Sequence, residues 1–241
     1  MIRGMARTRD LSIRLPDLLQ RHQRLTSPAH DPRNRLRWLP ELRRWQAARL
    51  RRSFAHFLED PRHRAAAEFF LSDVYGDHDF SRRDADIARV VPLMQKLLPD
   101  ALLASVADAI ELGLLTHAFD LRMAQVLETL APKRKRLDDA LYGEAYRACG
   151  LPRLRSYQID LIARVGKDLG RGLKLPGVGM LLKLSRGPAT AAGLAELQRF
   201  LERGVDAFAR LGDPAAFVAE IEQDERELSR RLFAGDPQTS G

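Results

Sequence analysis

The sequence has almost no cysteine: Cys149 stands alone among 241 residues. One thiol excludes an internal disulfide framework and any all-cysteine metal site, and it suits a reducing compartment. Long apolar runs are also missing. No window approaches the ~18 uninterrupted apolar residues of a membrane span, and the opening MIRGMARTRD lacks the apolar core of a secretory signal, so a cytoplasmic location is expected. Lysine is scarce, at six of forty basic residues, a bias that reflects a GC-rich bacterial genome more often than a function. Period-two alternation never persists, which argues against strands, and no fixed repeat argues for a solenoid. The phosphate-cradling spacings GxxxxGK[ST] and GxGxxG, the zinc-binding HExxH, the nucleophile elbow GxSxG and the paired Glu-x-x-His of di-iron bundles are all absent.

What remains is the composition of a folded protein, with 45% hydrophobic and 30% charged residues. Apolar positions recur at three- and four-residue steps, which predicts an all-α protein, a compact bundle of about seven to nine helices. Residues 1–34 read as a basic, partly flexible extension, 35–233 as a single all-α domain, and 234–241 as a polar tail. Within the extension, residues 1–9 read as a loose tail and a first helix begins near Pro16, with Leu15 outside it. Further helices are expected from Pro40 to Glu59, from Pro61 to Tyr75, from Asp86 to Leu98, over 100–130, from Leu137 to Cys149, from Pro152 to about Leu169, from Ala189 to Leu211, and from Pro214 to about Phe233. The stretch 100–130 is either one core helix or a pair broken near Gly113. Gly187-Pro188 is read as a break. The apolar stripes of the last two helices are either core or a self-complementary dimer face.

Net charge is +8, but it is unevenly spread. Residues 1–58 hold fourteen arginines against Asp10, Asp17, Asp31 and Glu41, whereas the rest carries 26 basic and 28 acidic side chains. A basic arm of this kind suits an anionic partner, either nucleic acid or an anionic surface. Arg43, Arg44, Arg51 and Arg52 are the candidate phosphate contacts, with Trp38 and Trp45 nearby for stacking. The competing reading is a solvated arginine face beside core tryptophans.

The densest cluster of ionisable groups lies between Phe69 and Met94. Tyr75 and Gly76 end a helical run, Asp77, His78 and Asp79 follow in consecutive positions, and Ser81 with Asp84 resembles a capping box for the next helix. Asp77, His78, Asp79, Asp84 and Asp86 offer oxygen and imidazole ligands for a metal or cationic ligand, and Arg82 and Arg83 offer charge for an anion; a capped connector with solvated charges explains the same residues. Tyr146, Arg153, Arg155, Tyr157 and Gln158 form a second candidate ligand surface. His117 and Asp120, three apart on a helix, could share one face. His117 is also the single histidine placed like a haem ligand, and Cys149 is either a reactive thiol or a small buried apolar group.

The segments FFLSDVYG, the following DF and RRDADIARVVP, QIDLI, and VGMLLKLSRGPATAAGLAELQRFLERG together resemble a family of bacterial all-helical proteins known as a domain of unknown function. The resemblance spans about Phe54 to Phe233 and implies no activity, cofactor or catalytic residue. Three readings therefore stand: a non-enzymatic binding or regulatory module that meets a protein partner or small ligand near the Tyr75–Asp86 loop, a metal- or small-ligand-binding enzyme using that loop, and an anionic-surface or nucleic-acid binder.

Overall fold

The computed structural model describes residues 2–74, 89–91, 100–173 and 178–236. Helix α1 (Ile2–Thr26) runs straight through Pro16. This corrects the expectation of a start at Pro16 with Leu15 outside. Pro16 is exposed and stands away from the buried face formed by Leu11, Leu15 and Leu18, so the helix packs although one backbone hydrogen bond is lost. A 3-10 turn (Pro32–Arg35) follows, capped by Asp31, whose carboxylate accepts from the Arg33 backbone and from its guanidinium.

Helix α2 (Trp38–Ser53) starts two residues before Pro40, whose missing N–H falls in the first turn where no intrahelical acceptor exists. It ends at Phe54, and α3 (Ala55–Glu59) continues beyond, so the single helix expected to Glu59 is two. Helix α4 (Arg64–Phe69) passes into a π-helical turn, Phe70–Val74. The expected helix from Asp86 to Leu98 lies outside the described residues except for 89–91, which are helical.

Helix α5 (Asp100–Leu130) is continuous over 31 residues, including Gly113. It ends at Ala131-Pro132, where the Arg37 guanidinium donates to the carbonyls of Ala131, Pro132 and Arg134 at 2.9, 2.9 and 2.7 Å. Such a cation satisfies carbonyls left open at a helix C-terminus and meets the negative end of its dipole. Asp138 caps α6 (Asp139–Cys149) by accepting from Leu141 N, and Gly150 closes it at φ 65°. Helix α7 (Pro152–Leu173) is longer than expected.

Helix α8 (Val178–Ala191) contains Gly187 and Pro188 within its span, so the break expected there falls instead at 192–194. Pro188 is likewise exposed. Helix α9 (Ala195–Ala209) and helix α10 (Pro214–Ala234) complete the fold. Asp213 caps α10 through Ala215 N and Ala216 N, and Gly235 ends it in the left-handed region.

Eight α-helices of eleven residues or more are described, with no strand among the described residues, so the fold is all-α as the periodicity predicts. Three apolar clusters hold it together. The first joins Trp38 and Leu42 of α2, Leu121 and Leu127 of α5, Tyr142 and Cys149 of α6, and Leu228 and Leu232 of α10. The second gathers Phe54, Phe57 and Phe69 against Phe208, Phe217 and Val218. The third sets Leu11, Leu15 and Leu18 of α1 on Leu103 and Ala107 of α5, beside Val91. Trp38 is interior, at 1% exposed, and half-buried Trp45 packs against the same cluster, stacked on Tyr142 with ring centroids 4.0 Å apart. Phe208 of α9 and Phe217, Val218, Ile221, Leu228 and Leu232 of α10 are taken up in these clusters, whereas Leu201 of α9 is 42% exposed.

Candidate functional site

Helix α5 carries His117 and Asp120 one turn apart, so both point at α2, and both are buried. Arg43 of α2 reaches them together: its Nη2 donates to His117 Nδ1 at 2.8 Å, and its Nε lies 3.6 Å from Asp120 Oδ2. Arginine can only donate, so Nδ1 accepts and the ring proton sits on Nε2, which donates to Asn34 Oδ1 at 2.9 Å. Asn34 Nδ2 in turn donates to the carbonyls of Leu25 and Asp31. Burial, reinforced by the Arg43 cation, pushes His117 down to about 4, and it is neutral at physiological pH. Burial pushes the Asp120 carboxyl up, against the pull of Arg43 and a hydrogen bond from Gln46. With both ring nitrogens engaged, His117 has no lone pair to offer a haem iron in this arrangement.

The second candidate surface divides into two. Arg155, on the first turn of α7, lies over the Phe119 ring at 3.8 Å and the Tyr146 ring at 4.8 Å, and donates to Gln158 Oε1 at 2.7 Å. Gln158 Nε2 donates to Thr116 Oγ1 at 2.7 Å, and the Tyr146 hydroxyl meets Ser229 Oγ at 2.9 Å. Burial pushes the Tyr146 hydroxyl up to about 12 and the Cys149 thiol up to about 11, so Cys149 is a buried thiol of low nucleophilicity. Tyr157 faces another side, donating to Glu111 Oε1 at 2.9 Å, and Arg153 is exposed. Thus Tyr146, Arg155 and Gln158 converge, while Arg153 and Tyr157 do not join them.

Two buried charges escaped the sequence reading. Arg49 of α2 sends both Nη atoms to Glu225 Oε1 of α10 at 3.1 Å, across 176 residues of chain. Asp73, in the π-helical turn, is buried and pairs with Arg203 of α9, while Ser72 Oγ donates to it at 2.8 Å. The π-turn itself is the kind of irregularity that accumulates at functional positions. Close packing supports it: a Cβ at Gly204 would lie 2.9 Å from the Phe69 ring.

Tyr75, Asp77, His78, Asp79, Arg82, Arg83, Asp84 and Asp86 lie outside the described residues. Their flanks are placed, however. On one side Asp73 is tied to Arg203, and on the other Arg89 Nη2 donates to the Ala192 carbonyl at 2.8 Å, so both flanks are fastened to the hairpin of α8 and α9. That hairpin is stitched by buried Gln198, which donates to Leu182 O at 2.6 Å, and by the bidentate pair of Arg186 with Glu202. Its outer face shows Met180 and Leu184, 70% and 71% exposed and one turn apart, with Lys183 beside them.

Of the candidate phosphate contacts, Arg43 is held by Asp120 and His117, Arg44 pairs with Glu41 at 3.1 Å, Arg52 lies 3.9 Å from Asp139, and Arg51 is exposed. Among the described residues no three His, Cys, Asp or Glu side chains converge as a metal site. His56 and His63, on either side of Pro61, go separately to Glu220 and Asp60. A concavity of about 520 Å³ on α10 is lined by Glu222, Gln223, Arg226, Glu227 and Arg230, whose charges pair with one another and with Asp160 and Lys167. No helix among the described residues is long and apolar enough to cross a membrane. No curated protein and no solved structure matches the chain. Residues 25–239 match the model of the family described as Domain of unknown function (DUF8198), so the match begins inside the arginine-rich region rather than at Phe54, and the chain belongs to that family.

Proposed function

We propose that the chain is a non-enzymatic binding module whose protein partner seats on the α8–α9 hairpin, the element to which residues 73 and 89 are fastened. One observation carries this reading: Met180 and Leu184 hold about 70% of their surface in water, one turn apart on a helix. Exposed apolar side chains in register cost solvation and mark contact surfaces, and methionine adapts to varied partners. Lys183 beside them favours a partner segment with apolar and acidic side chains. The acidic and imidazole groups of Asp77, His78 and Asp79, and the arginines Arg82 and Arg83, supply polar recognition between the two fastened flanks.

The test uses the full chain with a photo-crosslinking residue in place of Leu184, followed by affinity measurements with the partner so identified. Met180→Asp/Leu184→Asp should weaken that affinity about tenfold or more, as for loss of an apolar anchor, and Asp77→Ala/His78→Ala/Asp79→Ala should weaken it less. An affinity unmoved by the α8 pair overturns the reading. Elemental and mass analysis of the purified protein separates it from the enzyme reading: a stoichiometric metal or metabolite, lost from the folded triple variant, replaces it.

A further inference from the structure

Helix α1 is joined to the rest of the fold in a way that separates it from the family domain. The family match begins at residue 25, and Leu25 is the described α1 residue that packs against the first apolar cluster. Leu11, Leu15 and Leu18 belong to the third cluster instead, where they lie on Leu103 and Ala107. These leucines are spaced i, i+4 and i+7, the anchor pattern of a helix bound in a groove. Further along, the His22 imidazole of α1 reaches Gly113 of α5, where an added Cβ would meet it at 3.7 Å, an ordinary packing distance. On the rim, Arg14 Nη2 meets Asp108 Oδ1 at 2.7 Å and Glu111 Oε2 at 2.5 Å.

The groove also has supports of its own. Asp108 is held by Arg164 Nε at 3.6 Å, and Glu111 accepts from the Tyr157 hydroxyl at 2.9 Å, both from α7. The acidic rim is therefore held in place by residues that do not belong to α1. The link to α2 is a tight reversal, in which the backbone of His30 and Asp31 donates to Ser27 O at 3.0 and 2.9 Å.

We infer that the α5 groove is an exchangeable helix-binding site and that a second copy's α1 can enter it, Leu on Leu103 and Ala107 and Arg14 on Asp108 and Glu111, giving a reciprocally exchanged pair of chains. The occupant is chosen by fit: α1 is the helix the structure shows seated there, and a second copy carries the same leucine spacing and the same arginine. Exchange keeps every contact of the single chain and changes only which link spans the hinge.

Shortening the hinge tests this. A chain lacking residues 27–36, almost the whole connection between α1 and α2, has no link left to reverse through, and it should sediment as a dimer at concentrations where the full chain does not. Adding Arg14→Glu should weaken that dimer about tenfold or more, the equivalent of ~1.4 kcal/mol, and a synthetic peptide of residues 2–26 should dissociate it. In the full chain, Arg14→Glu should raise the affinity for the same labelled peptide, because the resident helix competes less well. Three results overturn the inference: a shortened chain that is folded and monomeric, one that loses its helical ellipticity without associating, and a dimer indifferent to both Arg14→Glu and the peptide.

Discussion

His117 shows what a single buried imidazole does to stability. The unfolded chain carries it near the ordinary value of 6.5, whereas the folded chain holds it at about 4. Between those values the unfolded state takes the proton first, so stability is fully present above pH 6.5 and falls as pH drops to 4, by at most about 3 kcal/mol. Asp120 acts in the opposite direction at the acid end of that window, because its raised carboxyl is protonated first in the folded state. Urea melts of the wild type and His117→Gln, compared from pH 7 to pH 4, separate the two: the advantage of the wild type should shrink steadily as pH falls. Arg49 makes a second prediction. Glu225→Leu strands a buried guanidinium and should cost about 3 kcal/mol in the same assay, and Arg49→Met in addition should recover most of it. The spacing of His117 and Asp120 was legible as one helix face from the sequence alone. Asn34, Arg49 and Glu225 were not, because no local pattern relates residues 83 or 176 positions apart.

Among the helices, close approach is set by what one residue lacks. A Cβ at Gly166 of α7 would lie 2.7 Å from Val218 Cγ2 of α10, so these two helices cross at a contact only glycine admits. Alanine is the better helix former by ~1 kcal/mol, but overpacking costs about 1–3 kcal/mol. Gly166→Ala should therefore lower stability by about 1 kcal/mol in a urea melt, and Gly166→Ala/Val218→Ala should show positive coupling between the two changes. A cap and a proline together marked the helix start at Asp213-Pro214, whereas after Asp60-Pro61 the chain makes a turn and the helix expected from Pro61 begins at Arg64. Prolines alone misled. Pro16 and Pro188 each remove one hydrogen bond, but both are exposed, and the buried face of leucines around Pro16 stands away from it. The π-turn at Phe70–Val74 had no sequence signal, since the residues that support it, Arg203 and Gly204, lie on α9. Asp77, Asp79, Asp84 and Asp86 were legible as a dense acidic run, because that signal is residue type alone.

For the molecule as a whole, the charge asymmetry of the sequence acquires a structural meaning. Arg14, Arg37, Arg43 and Arg49 from the basic end pair with Asp108, Glu128, Asp120 and Glu225 from the later chain. Part of what resembles an anion-binding arm is thus an internal fastening, which screening weakens. Raising NaCl to about 1 M, where the screening length is ~3 Å, should lower stability in urea on the order of 1 kcal/mol, since several of these pairs are half-exposed. The Arg37 clasp on the end of α5 has a further consequence, in time. Its acceptors lie 94 to 97 residues later in the chain. At synthesis rates of about 5–20 residues per second, α2 emerges from the ribosome roughly 5–20 s before the carbonyls it will hold exist. During that interval Trp38, Leu39 and Leu42 have no α5 or α6 to cover them, and the nascent amino-terminal third holds its apolar face open to water.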